Sequence, residues 1–119
     1  MGLNAVYAAS EPSRSQIDQI AEPIVLEFGA PWCGHCLAAQ PLLEIALAAC
    51  PGVRHIRIED GPGRRLGRSF AVKLWPTLIF LRQGSEVARL VRPTDAVAIV
   101  QALASTALND GKPDCDDHR

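Results

Sequence analysis

Apolar residues run almost unbroken through Ile24-Val25-Leu26-Glu27-Phe28 and again through Thr77–Leu81, with turn-forming or charged residues on either side. Runs of this kind predict strands covered on both faces, not strands with one wet side. Glu27 is the anomaly in the first. Between them the period changes. From Cys33 to about Ala49, Leu42, Leu43, Ile45, Ala46 and Ala49 give a broad apolar face at helical spacing. Pro41 lies inside this helix as a predicted kink, and Pro51-Gly52 stops it. Val53–Glu59 predicts a strand of mixed alternation, with Ile56 and Ile58 its clearer apolar set. Gly61-Pro62-Gly63 is a turn, and Arg64–Ala71 a short helix, basic on one side with Leu66 and Phe70 on the other. Gln83-Gly84-Ser85 predicts a hairpin turn into a strand Glu86–Val91.

The two ends complete the pattern. Asn4–Ala9 is a short strand candidate, followed by a helix with Ser10 as N-cap, Pro12 in its first turn and Ile17 and Ile20 as its apolar face, to about Ala21. Thr94 is the predicted cap of a last helix, whose Val97, Val100, Leu103, Ala104, Ala107 and Leu108 share a face until Asn109-Asp110-Gly111. The order β-α-β-α-β-α-β-β-α predicts an α/β domain over 1–111, with parallel crossovers early and an antiparallel hairpin late. Residues 112–119 predict a mobile acidic tail.

At 119 residues the chain has room for one domain with a real core. A formal net charge of −1 favours neither nucleic acid nor a membrane surface, and no apolar run approaches a bilayer span. The first twenty residues hold Glu11, Arg14 and Asp18 and lack a basic-then-apolar leader pattern, so the expectation is a cytoplasmic protein, or a periplasmic or secreted one if a leader was removed. Four cysteines in so aliphatic a chain do not predict a disulfide framework.

Two of those cysteines carry the chemistry. Trp32-Cys33-Gly34-His35-Cys36 stands where strand gives way to helix, and the Cys-x-x-Cys spacing lets one sulfur attack a partner's disulfide while the other waits to resolve the adduct. A thiol at Cys33 feels the positive helix end, which favours thiolate; Cys36, one turn inside, is held as thiol by burial. Cys33 is therefore the expected nucleophile and Cys36 the resolving thiol. The plainer alternative, half of a zinc site, needs a second ligand pair that Cys50, Cys115 and three scattered His do not supply. His35, between the sulfurs, would stabilise the thiolate when protonated. Glu27, six residues before Cys33, must be neutral or partnered if buried, and would accept the Cys36 proton; His55 on the adjacent strand is a candidate partner. Cys50 predicts a small buried hydrophobe and Cys115 part of a solvated tail. Pro76, between Trp75 and an apolar strand, is a candidate cis proline, and Trp32 a candidate exposed lid.

Trp32-Cys33-Gly34-His35-Cys36, Pro41 in the following helix, Trp75-Pro76-Thr77, the Gly84 hairpin and the terminal amphipathic helix resemble the thioredoxin family over roughly residues 4–108. Locally, Leu26–Cys36 is more similar to a protein disulfide isomerase catalytic domain, with Gly-His between the cysteines and Glu at position 27. The resemblance implies a thioredoxin fold, with a mixed five-stranded sheet flanked by four helices. It implies a cis Pro76 against the dithiol, a substrate groove bordered by Trp32, Trp75, Pro76, Thr77 and Arg92, and a proton acceptor at Glu27. His55 matches a position where the family often places Lys. Leu37, Trp75 and Arg92-Pro93 depart from the family pattern, which normally has a basic residue, a small aliphatic and Gly at these places.

The leading expectation is a thiol–disulfide oxidoreductase with no cofactor and no metal, a monomer that exchanges its dithiol with protein disulfides. It would be recharged by an external dithiol such as a thioredoxin-reductase-like protein or by glutathione. Thioredoxin lies at about −270 mV and the isomerase at about −180 mV, and Gly-His points between them, nearer the second. The alternatives are a binding or assembly module whose thiols are not essential, and a zinc or iron–sulfur carrier through Cys33 and Cys36 across a dimer.

Overall fold

The computed structural model describes residues 3–4, 6–109 and 112–113. The elements are α1 (Arg14–Asp18), β1 (Ile24–Gly29), α2 (Gly34–Ala49), β2 (Arg54–Glu59), α3 (Leu66–Ser69), β3 (Thr77–Arg82), β4 (Ser85–Val91), α4 (Ala96–Thr106), β5 (Leu108–Asn109) and β6 (Lys112–Pro113). β1 lies inside a sheet of order β2-β1-β3-β4, parallel to β2 and antiparallel to β3, and β3 and β4 form the late hairpin. Gln83 and Gly84 turn that hairpin with φ of 51° and 79°, the pair of positive values a tight two-residue connection requires.

Alternation along β1 sorts the core. Val25, Leu78 and Phe80 face α2 and α4, packing on Leu43, Leu47, Ile99 and Leu103. Ile24, Leu26, Phe28, Ile79 and Leu81 face the other way onto Ile17, Leu66 and Phe70. All six residues of β1 are buried because helices cover both faces of the sheet. Glu27 shares the face of Val25 and therefore points under α2.

Among the described residues the sheet has four strands, not the expected five. Among the described residues of the N-terminal segment, backbone pairing with the outer edge of β2 is limited to a single parallel bridge, Tyr7 to Arg57, with the Ala8 N–H donating to the Arg57 carbonyl at 2.9 Å. The Asn4 N–H, which a strand would give to a neighbouring backbone carbonyl, goes instead to the His55 ring at 2.8 Å. Two helix starts also shift. Ser13, not Ser10, caps α1, because Ser13 and Gln16 satisfy each other's backbone N–H groups in a capping box. Asp95, not Thr94, caps α4, its carboxylate accepting the Ala98 N–H at 2.8 Å. α4 ends at Thr106, and β5 and β6 pair as a short antiparallel ribbon that takes in Lys112 and Pro113, the first two residues of the expected tail. Residues 114–119, including Cys115, lie outside the described residues. Cys50 is fully buried, as expected of a small hydrophobe, but it is disulfide-bonded.

Candidate active site

β1 ends at Gly29, and the chain turns through Ala30-Pro31-Trp32, closed by a 3.1 Å bond from the Cys33 N–H to the Ala30 carbonyl. Cys33 takes the N-cap position of α2 in extended backbone, and its sulfur accepts the Cys36 N–H at 3.2 Å. Sulfur thus occupies the place where a hydroxyl or carboxylate ordinarily satisfies an orphan helix donor. Both thiols are free. Cys33 is 7% exposed and Cys36 1%. Burial, then its hydrogen bond with Cys33 and the charges of Cys33 and Glu27, push the Cys36 thiol up to about 12. Gly29 permits this packing, since a Cβ there would lie 2.6 Å from the Cys36 sulfur.

Behind Cys36, sheet register assembles a polar row. Tyr7, Arg57 and Glu27 are consecutive partners across three adjacent chain segments, so their side chains stand on one face. Glu27 and the His55 ring are fully buried, with His55 Nε2 2.8 Å from Glu27 Oε1. The backbone fixes the tautomer. Because the Asn4 N–H donates to Nδ1, the ring proton sits on Nε2 and is donated to Glu27. The Gln40 amide donates to Glu27 Oε2 at 2.8 Å and to the Cys36 carbonyl at 3.2 Å, linking carboxylate to dithiol helix. Arg57 Nε lies 3.4 Å from Glu27 Oε1, and its guanidinium stacks 4.1 Å over the Tyr7 ring. Both carboxylate oxygens therefore have donors, as a buried carboxylate requires. The mixed alternation of β2 now has a reason. Ile56 and Ile58 line the apolar face, while His55 and Arg57 serve Glu27 on the other.

The outer side of the dithiol is aromatic. Trp32 is 75% exposed and meets Trp75 edge-on, with ring centroids 5.4 Å apart. Trp75 packs against Ala30, Cys33 and Cys36. Its Nε1 donates to Asp60 at 2.9 Å, and its carbonyl accepts Arg92 Nε at 2.8 Å. The Trp75–Pro76 peptide is cis. The Pro76 carbonyl accepts the Arg92 N–H at 2.9 Å. Thr77 is buried, and its hydroxyl donates to the Leu74 carbonyl at 2.6 Å, so its side chain braces the turn instead of lining the surface. Leu37 and Leu74 are exposed nearby in the chain, as is His35.

The expected residues thus gather around the dithiol, except that Thr77 offers no side chain outward. Four contributors have no signal in local sequence: Gln40, Arg57, Tyr7 and Asp60. The first three reach the site through register and helix packing. Asp60 approaches Trp75 because Gly67 leaves it space that a Cβ would occupy.

Comparisons with known proteins agree with this geometry. The thioredoxin family model matches residues 5–105. A thioredoxin from Chlamydia muridarum is 35% identical over 88 residues, 73% of this chain and 86% of the relative. Human protein disulfide-isomerase A2 is 40% identical over 86 residues, 67% of this chain and 16% of that much longer protein. Among solved structures, reduced thioredoxin 2 from Pseudomonas aeruginosa PAO1 is 54% identical with a TM-score of 0.78, covering 87% of this chain and 96% of its own. Arriving by sequence, by structure and by a Cys-x-x-Cys pair at a helix start, the chain belongs to the thioredoxin family of thiol–disulfide oxidoreductases.

Proposed function

We propose that Cys33 is the attacking sulfur, Cys36 the resolving one and Glu27 the acceptor of the Cys36 proton. Cys33 as thiolate attacks one sulfur of a protein disulfide, forming a mixed disulfide and releasing the other substrate sulfur as thiolate. Cys36 then gives up its proton and attacks Cys33. The Cys33–Cys36 bond forms, the substrate's second sulfur leaves, and two electrons have passed from the dithiol to the substrate. An external dithiol protein of the thioredoxin-reductase type, or glutathione, returns the electrons. Trp32, Trp75, Pro76, the Thr77 backbone and Arg92 form the groove that holds the substrate segment, and His35 favours the Cys33 thiolate. The protein works as a monomer.

The observation that carries these roles is the asymmetry of the pair. Cys33 is an N-cap sulfur beside the solvent-exposed Trp32, while Cys36 is buried and its thiol is pushed up to about 12. The test is reduction of insulin disulfides with dithiothreitol. Cys33→Ser is expected to fall to the uncatalysed rate, and Cys36→Ser to accumulate a substrate adduct on Cys33 visible by mass spectrometry. Full turnover in Cys33→Ser would reverse the assignment. Absence of turnover in the native chain would favour a binding module.

A further inference from the structure

Tyr7 belongs to none of the roles above. Its hydroxyl is buried, and among the described residues it makes no hydrogen bond in the resting dithiol. A buried O–H without an acceptor costs about 1–3 kcal/mol and asks for a reason. Its location supplies one. A Cβ on Gly29 would lie 2.6 Å from the Cys36 sulfur and 3.4 Å from the Tyr7 oxygen, so sulfur and hydroxyl border the same small space beside Gly29. The ring is held from behind by the Arg57 guanidinium, and its backbone by the bridge to β2.

We propose that Tyr7 is a positioning residue for the resolving step, its hydroxyl donating a hydrogen bond to the Cys36 sulfur as that sulfur becomes a thiolate. A neutral thiol is a poor acceptor, and a thiolate is a strong one. The donor is therefore unsatisfied in the resting dithiol and satisfied as charge develops, which is the condition for lowering a barrier instead of merely binding the ground state. Burial pushes the Tyr7 phenol up to about 12, against the opposing charge of Arg57, so it keeps its proton and stays a donor near neutral pH. The groups facing Cys36 are Cys33 from the start of α2, Glu27 from β1 and Tyr7 from the N-terminal segment, with Arg57 behind Tyr7 and His55 behind Glu27. No proton passes through Tyr7; the Cys36 proton still goes to Glu27.

The inference rests on Cys36 being the resolving thiol, and one experiment separates the two. Reduced full-length protein is mixed with dithiobis-nitrobenzoate in a stopped-flow instrument. The first thionitrobenzoate released reports attack by Cys33, and the second reports displacement by Cys36. Tyr7→Phe, which keeps the ring on Arg57, is expected to slow the second phase about tenfold near neutral pH and move its pH profile upward, leaving the first within twofold. In a Cys33→Ser background, Tyr7→Phe is expected to shift alkylation of Cys36 to higher pH. A Tyr7→Phe second phase equal to the native one at every pH overturns the inference alone, as does equal slowing of both phases, which marks a purely structural tyrosine. A native protein that releases only the first thionitrobenzoate overturns the Cys36 assignment and this inference with it.

Discussion

On the outer side of Cys33 the surroundings are aromatic and wet: Trp32 lies open to solvent, and Trp75 is held by two hydrogen bonds, to Asp60 and Arg92. Behind Cys36 they are buried and charged: His55, Gln40 and Arg57 converge on the Glu27 carboxylate. A side chain on the rim can change without leaving anything buried and unpaired. A side chain in the interior cannot, since His55, Gln40 and Arg57 are committed to one buried carboxylate, and removing any of them strips it of a partner. The two sides of one dithiol are therefore free to answer the two demands proposed for them, partner choice outside and proton handling inside.

The sharpest way to break that contrast is to remove one interior member. His55→Ala deletes a donor to Glu27 Oε1 and the acceptor of the Asn4 N–H. Breaking a buried pair from one side costs about 3–5 kcal/mol. Urea unfolding should show a loss of that order. A loss below about 1 kcal/mol would mean that Arg57 and Gln40 hold the carboxylate without the histidine and that the interior is as forgiving as the rim.

A second test uses pH. The Cys36 thiol has a usual value of 9.0 and is pushed up to about 12 in the folded chain by burial and its Cys33 bond. Between those values the folded state binds more protons than the unfolded one, so unfolding free energy falls as pH rises across that window and is fully present below it. Tyr7 adds the same sign between 10.0 and about 12. Closing the Cys33–Cys36 disulfide removes the thiol contribution and leaves the tyrosine one. Reduced protein should therefore lose stability more steeply than oxidised protein above pH 9.0, measured by urea midpoints in both forms. Parallel curves would show that Cys36 is not buried as a thiol.

On the rim, Trp75→Val removes the bond to Asp60 and the edge contact with Trp32, together about 1–2 kcal/mol. The expected signature is a raised KM for protein disulfides with the Cys36 displacement rate unchanged. A displacement rate that fell as far as in Tyr7→Phe would show that rim and interior act as one unit.

Legibility in the sequence divides along the same line. The dithiol, Glu27 and Pro76 were readable because each is marked by neighbours in the chain: a strand-to-helix switch, an acid in an apolar run, a proline before a strand. His55 was readable only as a candidate, and its bond to Glu27 needed the parallel register of β1 and β2. Gln40, Arg57 and Tyr7 carry no local mark, because their roles arise from alignment between segments far apart in sequence. That the described residues form no fifth strand in this sheet has a similar origin. Asn4–Ala9 has a strand's composition, but its edge partner offers a histidine ring where a ladder carbonyl was needed. Cap shifts at Ser13 and Asp95 were choices between nearby residues that side-chain geometry alone decides.

The smallest expected effect is the most discriminating. Arg92 has a φ of 50°, a left-handed conformation that glycine adopts at no steric cost and that costs other residues about 1 kcal/mol. Its Nε also donates to the Trp75 carbonyl at 2.8 Å, a bond near the surface and worth about 1 kcal/mol. Arg92→Gly removes strain and bond together, while the backbone bond from position 92 to the Pro76 carbonyl survives. The two terms oppose each other, so stability should stay within about 0.5 kcal/mol of native. What does change is charge, since Arg92 is an exposed cation beside Trp75 and glycine is not. Substrates with acidic residues near their disulfide should lose affinity in Arg92→Gly, more so at low salt, and basic ones should not. KM values for matched acidic and basic peptides, taken at two ionic strengths, decide it. An equal change for both peptides would leave the rim as a steric wall with no electrostatic preference.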